Sequence, residues 1–392
     1  MRTRKPGTSA CVYIIPGIGQ PREPSDHVTA SALSTSSRLR LTPVRFAAST
    51  SAASFTDSSR LMAGPAIAGG TGGGSVAQAV VLARQSASTI LHPGARISCV
   101  TIRCSTLCDM NYRHAFHAGN FADVLKHVVL MMLVGHLKKK PAPFVYLDTH
   151  AGRGTYDLSD AEAQRSGEYK AGIGRLLELR SAALPAEIAE YLQLVRESAG
   201  TGHSAITAYP GSPLIVARMR RPTDRMVLVE KHPKEADALR AALGRQKLVS
   251  IVEGDGYAAL KAQLPPRENR GLVLIDPPYE SDLEFDHVLA ALELAHERWP
   301  TGTYCIWYPL TDRAGPVRFH RELERSGIRR VLDVTLRVLP NDAQVGMGGA
   351  GLVIVNPPWQ LDGRLQELLP ELHRLLSPEG LGGSRVEWLV PE

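Results

Sequence analysis

At 392 residues the chain has length for two or three domains with an ample core, and its net charge of +6 and pI near 9.1 suggest a nucleic-acid binder. The charge is unevenly spread. The 109 residues before Met110 hold eleven Lys or Arg against four acids and so carry +7, which leaves −1 for the remainder. Bulk basicity is therefore excluded as evidence that the folded part grips nucleic acid, and a local patch would be needed.

The first 109 residues are rich in Ser, Thr, Ala and Gly, with Gly69-Gly70-Thr71-Gly72-Gly73-Gly74 in their middle. Their apolar pieces are short, so this stretch is expected to have no stable fold. Met110 stands directly before the first patterned sequence, and it is read as the true start, with an Arg- and Ser-rich organellar leader as the alternative. Cys11, Cys99, Cys104 and Cys108 precede Met110 without paired metal-ligand spacing, so no metal site is expected. Cys305 alone follows it, which fits a reducing compartment. No apolar run approaches the length of a membrane-spanning helix.

From Met110 onward the expected elements follow in order. Asn120 can cap a helix starting at Phe121, with Val124, Leu125, Val128, Val129 and Met132 as its apolar face, fading at Lys138-Lys139-Lys140-Pro141. By themselves His114, His117, Lys126 and His127 read as a solvated basic face. Phe144–Asp148 reads as a strand leading into Thr149-His150-Ala151-Gly152-Arg153-Gly154, whose glycines would let backbone approach a ligand. Residues 157–205 are helical in pattern and delay the next strand, so a small helical insertion is expected there. Tyr209-Pro210-Gly211-Ser212-Pro213 closes it, and a helix through Leu214 and Met219 follows.

Strands at Arg225–Glu230 and Val249–Gly256 each deliver an acid. Glu230 can accept both ribose hydroxyls of a nucleoside cofactor, and Asp255 can receive its adenine amine. Each acid has an ordinary alternative as a helix cap.

Gly271–Ile275 is a buried parallel strand stopped by Asp276-Pro277-Pro278-Tyr279, because two prolines cannot extend a sheet. Asp-Pro-Pro-Tyr at a strand end is a hallmark of enzymes that methylate exocyclic amines, chiefly adenine N6. That amine is a poor nucleophile, since its lone pair is delocalised into the ring. A carboxylate at Asp276 and the carbonyl of Pro277 can each accept one amine hydrogen and aim the lone pair, while Tyr279 offers a stacking face.

Further strands are expected at Cys305–Pro309 and Val331–Leu336. Gly351–Val355 then presents Asn356-Pro357-Pro358-Trp359, a near-copy of the hallmark. It arrives two or three strands late and is read as a structural strand ending.

From Met110 to Glu392 the chain resembles the RlmJ family of bacterial 23S ribosomal RNA adenine-N6 methyltransferases. The resemblance is carried by Tyr112-Arg113-His114, Phe116-His117-Ala118-Gly119-Asn120, Ala122–His127 and Leu147–Gly152. It continues through Gly167-Glu168-Tyr169, Tyr209–Pro213, Ile275–Tyr279, Gly302-Thr303-Tyr304, Trp307-Tyr308-Pro309 and the ending Trp388–Glu392. It implies an α/β fold, a Rossmann-like class I S-adenosylmethionine-dependent methyltransferase with the helical insertion. By resemblance His127, His150, Gly152, Ser212, Glu230, Asp255, Gly256 and Asp276 line the methyl-donor site, and Asp276, with Pro277 and Tyr279, carries the chemistry. Tyr112, Lys126 and Tyr279 would face the RNA.

The expected activity is S-adenosylmethionine-dependent methylation of one adenine in 23S rRNA, free or in an early assembly particle. A cytoplasmic, monomeric enzyme without metal or membrane is expected. The alternatives are a DNA adenine-N6 or protein glutamine methyltransferase, or a non-catalytic RNA-binding factor.

Overall fold

The computed structural model describes residues 113–179, 184–198, 207–281, 283–311, 314–340 and 347–392. The expectations about residues 1–109, and Tyr112, lie outside the described residues.

Helix α1 (Phe121–Lys138) opens the fold, and the Asn120 side chain accepts from the backbone N–H groups of Ala122 and Asp123 as its cap. Strand β1 (Val145–Asp148) follows and is buried along its whole length. Two short strands, β2 (Thr155–Asp157) and β3 (Ala208–Pro210), pair antiparallel, and the segment between them carries α2 (Ala161–Ser166), α3 (Arg175–Leu177) and α4 (Ala186–Ser198). Helix α4 buries Ile188, Tyr191, Leu192 and Val195, at helical spacing. After α5 (Ser212–Met219) the chain alternates strand and helix: β4 (Arg225–Glu230), α6 (Pro233–Leu243), β5 (Val249–Glu253), α7 (Gly256–Gln263), β6 (Gly271–Ile275) and α8 (Glu284–Arg298). It closes with β7 (Thr303–Leu310), α9 (Gly315–Arg325), β8 (Val331–Arg337), β9 (Gly349–Val355), α10 (Leu361–Leu376) and β10 (Gly383–Val390).

Eight strands form one sheet in the order β10-β8-β9-β7-β6-β1-β4-β5. Strands β5, β4, β1, β6 and β7 run parallel, whereas β9 lies antiparallel between β7 and β8, and β10 pairs antiparallel with β8. This is the strand order of a class I methyltransferase, with β10 added at one edge. The chain moves outward from β1 to β4 and β5, then returns to the other side of β1 at β6. A crevice forms at that reversal, beyond the carboxyl ends of the strands, where open α/β sheets bind ligands.

Helices cover both faces, so the inner strands β1, β6 and β9 are buried along their whole length. Leu272 and Leu274 of β6 pack on the side of α1, α5 and α10, while Val273 and Ile275 pack on the side of α7, α8 and α9. The insertion is tied back to this frame: Arg364 of α10 grips Glu187 of α4 with two bonds of 2.5 and 2.7 Å.

Direction decides between the two proline motifs. Because β9 is antiparallel, Asn356-Pro357-Pro358-Trp359 emerges at the edge opposite to Asp276. The Asn356 amide donates to the carbonyls of Pro300 and Gly302, both at 2.8 Å, and so closes the turn before β7.

Candidate active site

Three polar residues of α1 face inward at i, i+3 and i+4: Asp123, Lys126 and His127, each at most 5 % exposed. The solvated basic face suggested by composition is thus corrected for Lys126 and His127. Sheet and insertion close over this side of the helix, and each of these residues has a buried partner. Lys126 Nζ lies 2.6 Å from Asp276 Oδ2 and 2.8 Å from Asp123 Oδ1. Asp123 Oδ2 also accepts from the Gly119 N–H at 2.9 Å and meets His114 Nε2 at 3.0 Å. Burial by itself would push the Lys126 ammonium down, but the Asp123 and Asp276 carboxylates outweigh it and hold the pKa well above the usual lysine value. Asp276 therefore meets a fixed cation as soon as β6 ends.

His127 Nδ1 is 2.8 Å from the Tyr209 hydroxyl, which is 2.8 Å from that of Tyr191, and all three are buried. Burial drives the His127 pKa down to about 3, so the imidazole is neutral at pH 7. An unfolded histidine titrates near 6.5, so this site contributes stability that is complete above pH 6.5 and lost as pH falls towards about 3. Thermal melts of His127→Gln across that window are expected to show a shallower acid limb than the unaltered protein, and an identical limb would refute the assignment.

The first strand-end loop is fixed from below. Asp148 Oδ2 accepts from the Tyr146 and Ser212 hydroxyls, each at 2.7 Å, and Oδ1 from the His150 N–H at 3.2 Å. Burial raises its pKa to about 6 despite these donors. Thr149 donates its hydroxyl to the Leu274 carbonyl at 3.1 Å, so the same oxygen can only accept from His150 Nδ1 at 2.8 Å. His150, held near a pKa of about 4 mainly by burial, then carries its proton on Nδ1 and leaves Nε2 as an acceptor.

Gly152 (φ +62°) turns its N–H onto Glu230 Oε2 at 2.8 Å, while Glu230 Oε1 accepts from the His232 N–H at 2.7 Å. A Cβ at Gly152 would stand 2.2 Å from the Tyr156 hydroxyl, and one at Gly256 would stand 2.1 Å from the Thr149 carbonyl. Both positions admit only glycine. Asp255 caps α7 through Oδ1, at 3.0 and 3.1 Å, and turns Oδ2 towards Lys231 at 3.4 Å. The capping and ligand readings of this acid are compatible, since they use different oxygens.

Tyr279 sits at φ +48°, a left-handed conformation that costs an aromatic residue energy and that surrounding contacts must enforce. Its hydroxyl donates to the Trp307 carbonyl at 2.8 Å, and its ring lies 4.7 Å from Phe285 and 5.8 Å from Trp307 between centroids. Sequence reasoning missed Asp123, Tyr191, Tyr209 and Trp307 as supports of the site. The i, i+3 spacing of Asp123 and Lys126 on an otherwise apolar face was the available signal.

The chain has known relatives. The family model described as Ribosomal RNA large subunit methyltransferase D, RlmJ, matches residues 141–390. Proteins named Ribosomal RNA large subunit methyltransferase J from Haemophilus influenzae and Escherichia coli are 46 % and 42 % identical over 283 residues, 72 % of this chain and all of each relative. A Legionella pneumophila crystal structure aligns with a TM-score of 0.64 and 36 % identity, covering 69 % of this chain and 98 % of that one. With a methyltransferase strand order, Asp276-Pro277-Pro278-Tyr279 at the end of β6 and relatives matched along their full length, this chain belongs to the RlmJ family of ribosomal RNA large subunit methyltransferases.

Proposed function

We propose that this protein transfers a methyl group from S-adenosylmethionine to the N6 amine of an adenine in 23S rRNA. The observation that carries this reading is Asp276 at the end of β6, held on Lys126 and followed by two prolines and a strained Tyr279. The residues fit the cofactor: Gly152 and Gly256 let the first strand-end loop lie close against Tyr156 and the start of α7, where a Cβ would clash, and two strand-end carboxylates suit a nucleoside. Glu230 would take the ribose hydroxyls and Asp255 the adenine amine, with His127, His150 and Ser212 lining the same crevice. When bound, S-adenosylmethionine supplies an electrophilic methyl group on a sulfonium.

The chain's own residues prepare the acceptor. Lys126 occupies Asp276 Oδ2, which leaves Oδ1 to accept one amine hydrogen, and the Pro277 carbonyl accepts the other. Fixing both hydrogens directs the nitrogen lone pair and limits its delocalisation into the ring. Asp276 is also the nearest base for the proton lost on transfer. Tyr279 gives the base a rigid face, and Tyr112 would meet the RNA ahead of α1. A target adenine must leave its stack to enter, so a loosened segment of RNA is the substrate form. The proposed setting is free rRNA or an early particle, met by a monomer in the bacterial cytoplasm.

Mass spectrometry of 23S rRNA nucleosides from a deletion strain tests the reading. Loss of one N6-methyladenosine, restored by a gene beginning at Met110, is the expected result. An unchanged profile would overturn it and direct the search to DNA or protein amines.

A further inference from the structure

The second proline motif, which the proposed chemistry does not use, lines a groove of about 370 Å³ at the opposite edge of the sheet. Gly271, at the start of β6, lies in this groove, and Asp276 follows the other end of the same strand. Five residues of extended chain separate the two places by roughly 17 Å.

The lining contains His136, Lys140, Arg270 and Arg330 but no Asp or Glu among the described residues. Glu392 lies 3.4 Å from Arg330 Nε and offsets that charge. Arg270 is held rigidly, donating to the carbonyls of Leu137 at 2.7 Å and Ala142 at 3.1 Å. Among the described residues no carboxylate lies within ion-pair distance of Arg270 or Lys140, and Asp224 is bound by Arg221 at 3.0 Å. The local field is correspondingly positive. Burial lowers the His136 pKa, and Lys139, Arg270 and Lys140 push it the same way. Beside these cations stands Trp359, 81 % exposed. Pro357 and Pro358 precede it and Gln360 follows at φ +64°, so the backbone presenting the indole is stiff.

Uncompensated cations beside a rigid exposed indole match the two things a single strand of nucleic acid offers, a line of phosphates and an unstacked base. A folded partner protein would be expected to bring apolar area instead, and the lining offers little beyond the indole and the prolines. We propose that this groove is a second RNA-binding site, which takes an unpaired segment of the rRNA substrate with a base on Trp359 and phosphates on Lys140 and Arg270. The proposal rests on the reading of rRNA as substrate and adds a distal anchor to it. The motif has then kept its aromatic for stacking, while its Asn356 is committed to the turn before β7.

Kinetics on two RNAs test this in the full chain: unmethylated full-length 23S rRNA, and a short fragment carrying only the target adenine and its neighbours. For the Trp359→Ala, Lys140→Glu double variant, KM on the long RNA is expected to rise about tenfold with kcat unchanged, and values on the fragment should stay unaltered. Equal KM on the long RNA, or the same loss on both RNAs, would overturn the proposal. If no RNA is methylated at all, the functional reading fails, yet the groove is still read directly. A uridine oligonucleotide should quench the fluorescence component that Trp359→Ala removes. Lys140→Ala should lower the salt slope of that binding by about 0.7. Absence of quenching overturns the groove even where methylation proceeds.

Discussion

Asp276→Ala is expected to lower turnover on 23S rRNA by roughly a thousandfold or more while leaving cofactor affinity largely intact. The carboxylate has two tasks at one place. In the proposed reaction it accepts a hydrogen from the target amine and takes the proton released on methyl transfer. An alanine side chain can supply neither. Cofactor affinity should survive, because Glu230, Asp255 and the glycine-bearing loop are held by bonds that do not pass through Asp276. Single-turnover methylation, with calorimetric titration of S-adenosylmethionine, separates the two effects. Turnover close to that of the unaltered enzyme would remove Asp276 from the chemistry.

Lys126→Met should be nearly as damaging, and for stability as well as rate. The Lys126 side chain is 6 % exposed, and its ammonium lies between two carboxylates at 2.6 and 2.8 Å. Methionine fills much of the volume but leaves Asp123 and Asp276 buried without their common cation. Breaking a buried ionic cluster in this way costs about 3–5 kcal/mol, which urea denaturation would detect. Adding Asp123→Asn should restore part of the stability, since the amide removes one of the two uncompensated charges and keeps an oxygen for the Gly119 N–H. Turnover should not return with it, because Asp276 would still lack the cation that fixes Oδ2. Recovery of rate together with stability would mean that Lys126 serves packing alone. Loss of neither would mean that the ion pair is not formed in solution.

Much of this site was legible in the order of residues along the chain. Proline after Asp276 stops a strand wherever it occurs, and a glycine loop or strand-end acid needs only its own neighbours to form. The series Asp148 with Gly152, then Glu230, Asp255 and Asp276, was therefore expected to line a nucleoside crevice before any packing was known, and the strands that carry it lie within three residues of their expected bounds. Local rules also marked Asn120 as a cap and placed helices between β2 and β3.

Strand direction was not legible in this way. Asp276-Pro277-Pro278-Tyr279 and Asn356-Pro357-Pro358-Trp359 differ little as sequences, and only the antiparallel placement of β9 sends the second to the far edge. Burial of charge was equally hidden, since α1 alone gives Lys126 no reason to face inward. That orientation follows from Asp123 and Asp276, 150 residues of chain separating Lys126 from the latter, meeting on one ammonium. Sequence by itself determined the fold class, the strand ends and the residue types available for amine methylation, because those depend on backbone propensity and short-range pattern. Tertiary structure alone showed that the second proline motif leaves by the opposite edge and decided which cation holds Asp276, because both depend on sheet topology and on the cost of leaving buried charge unpaired.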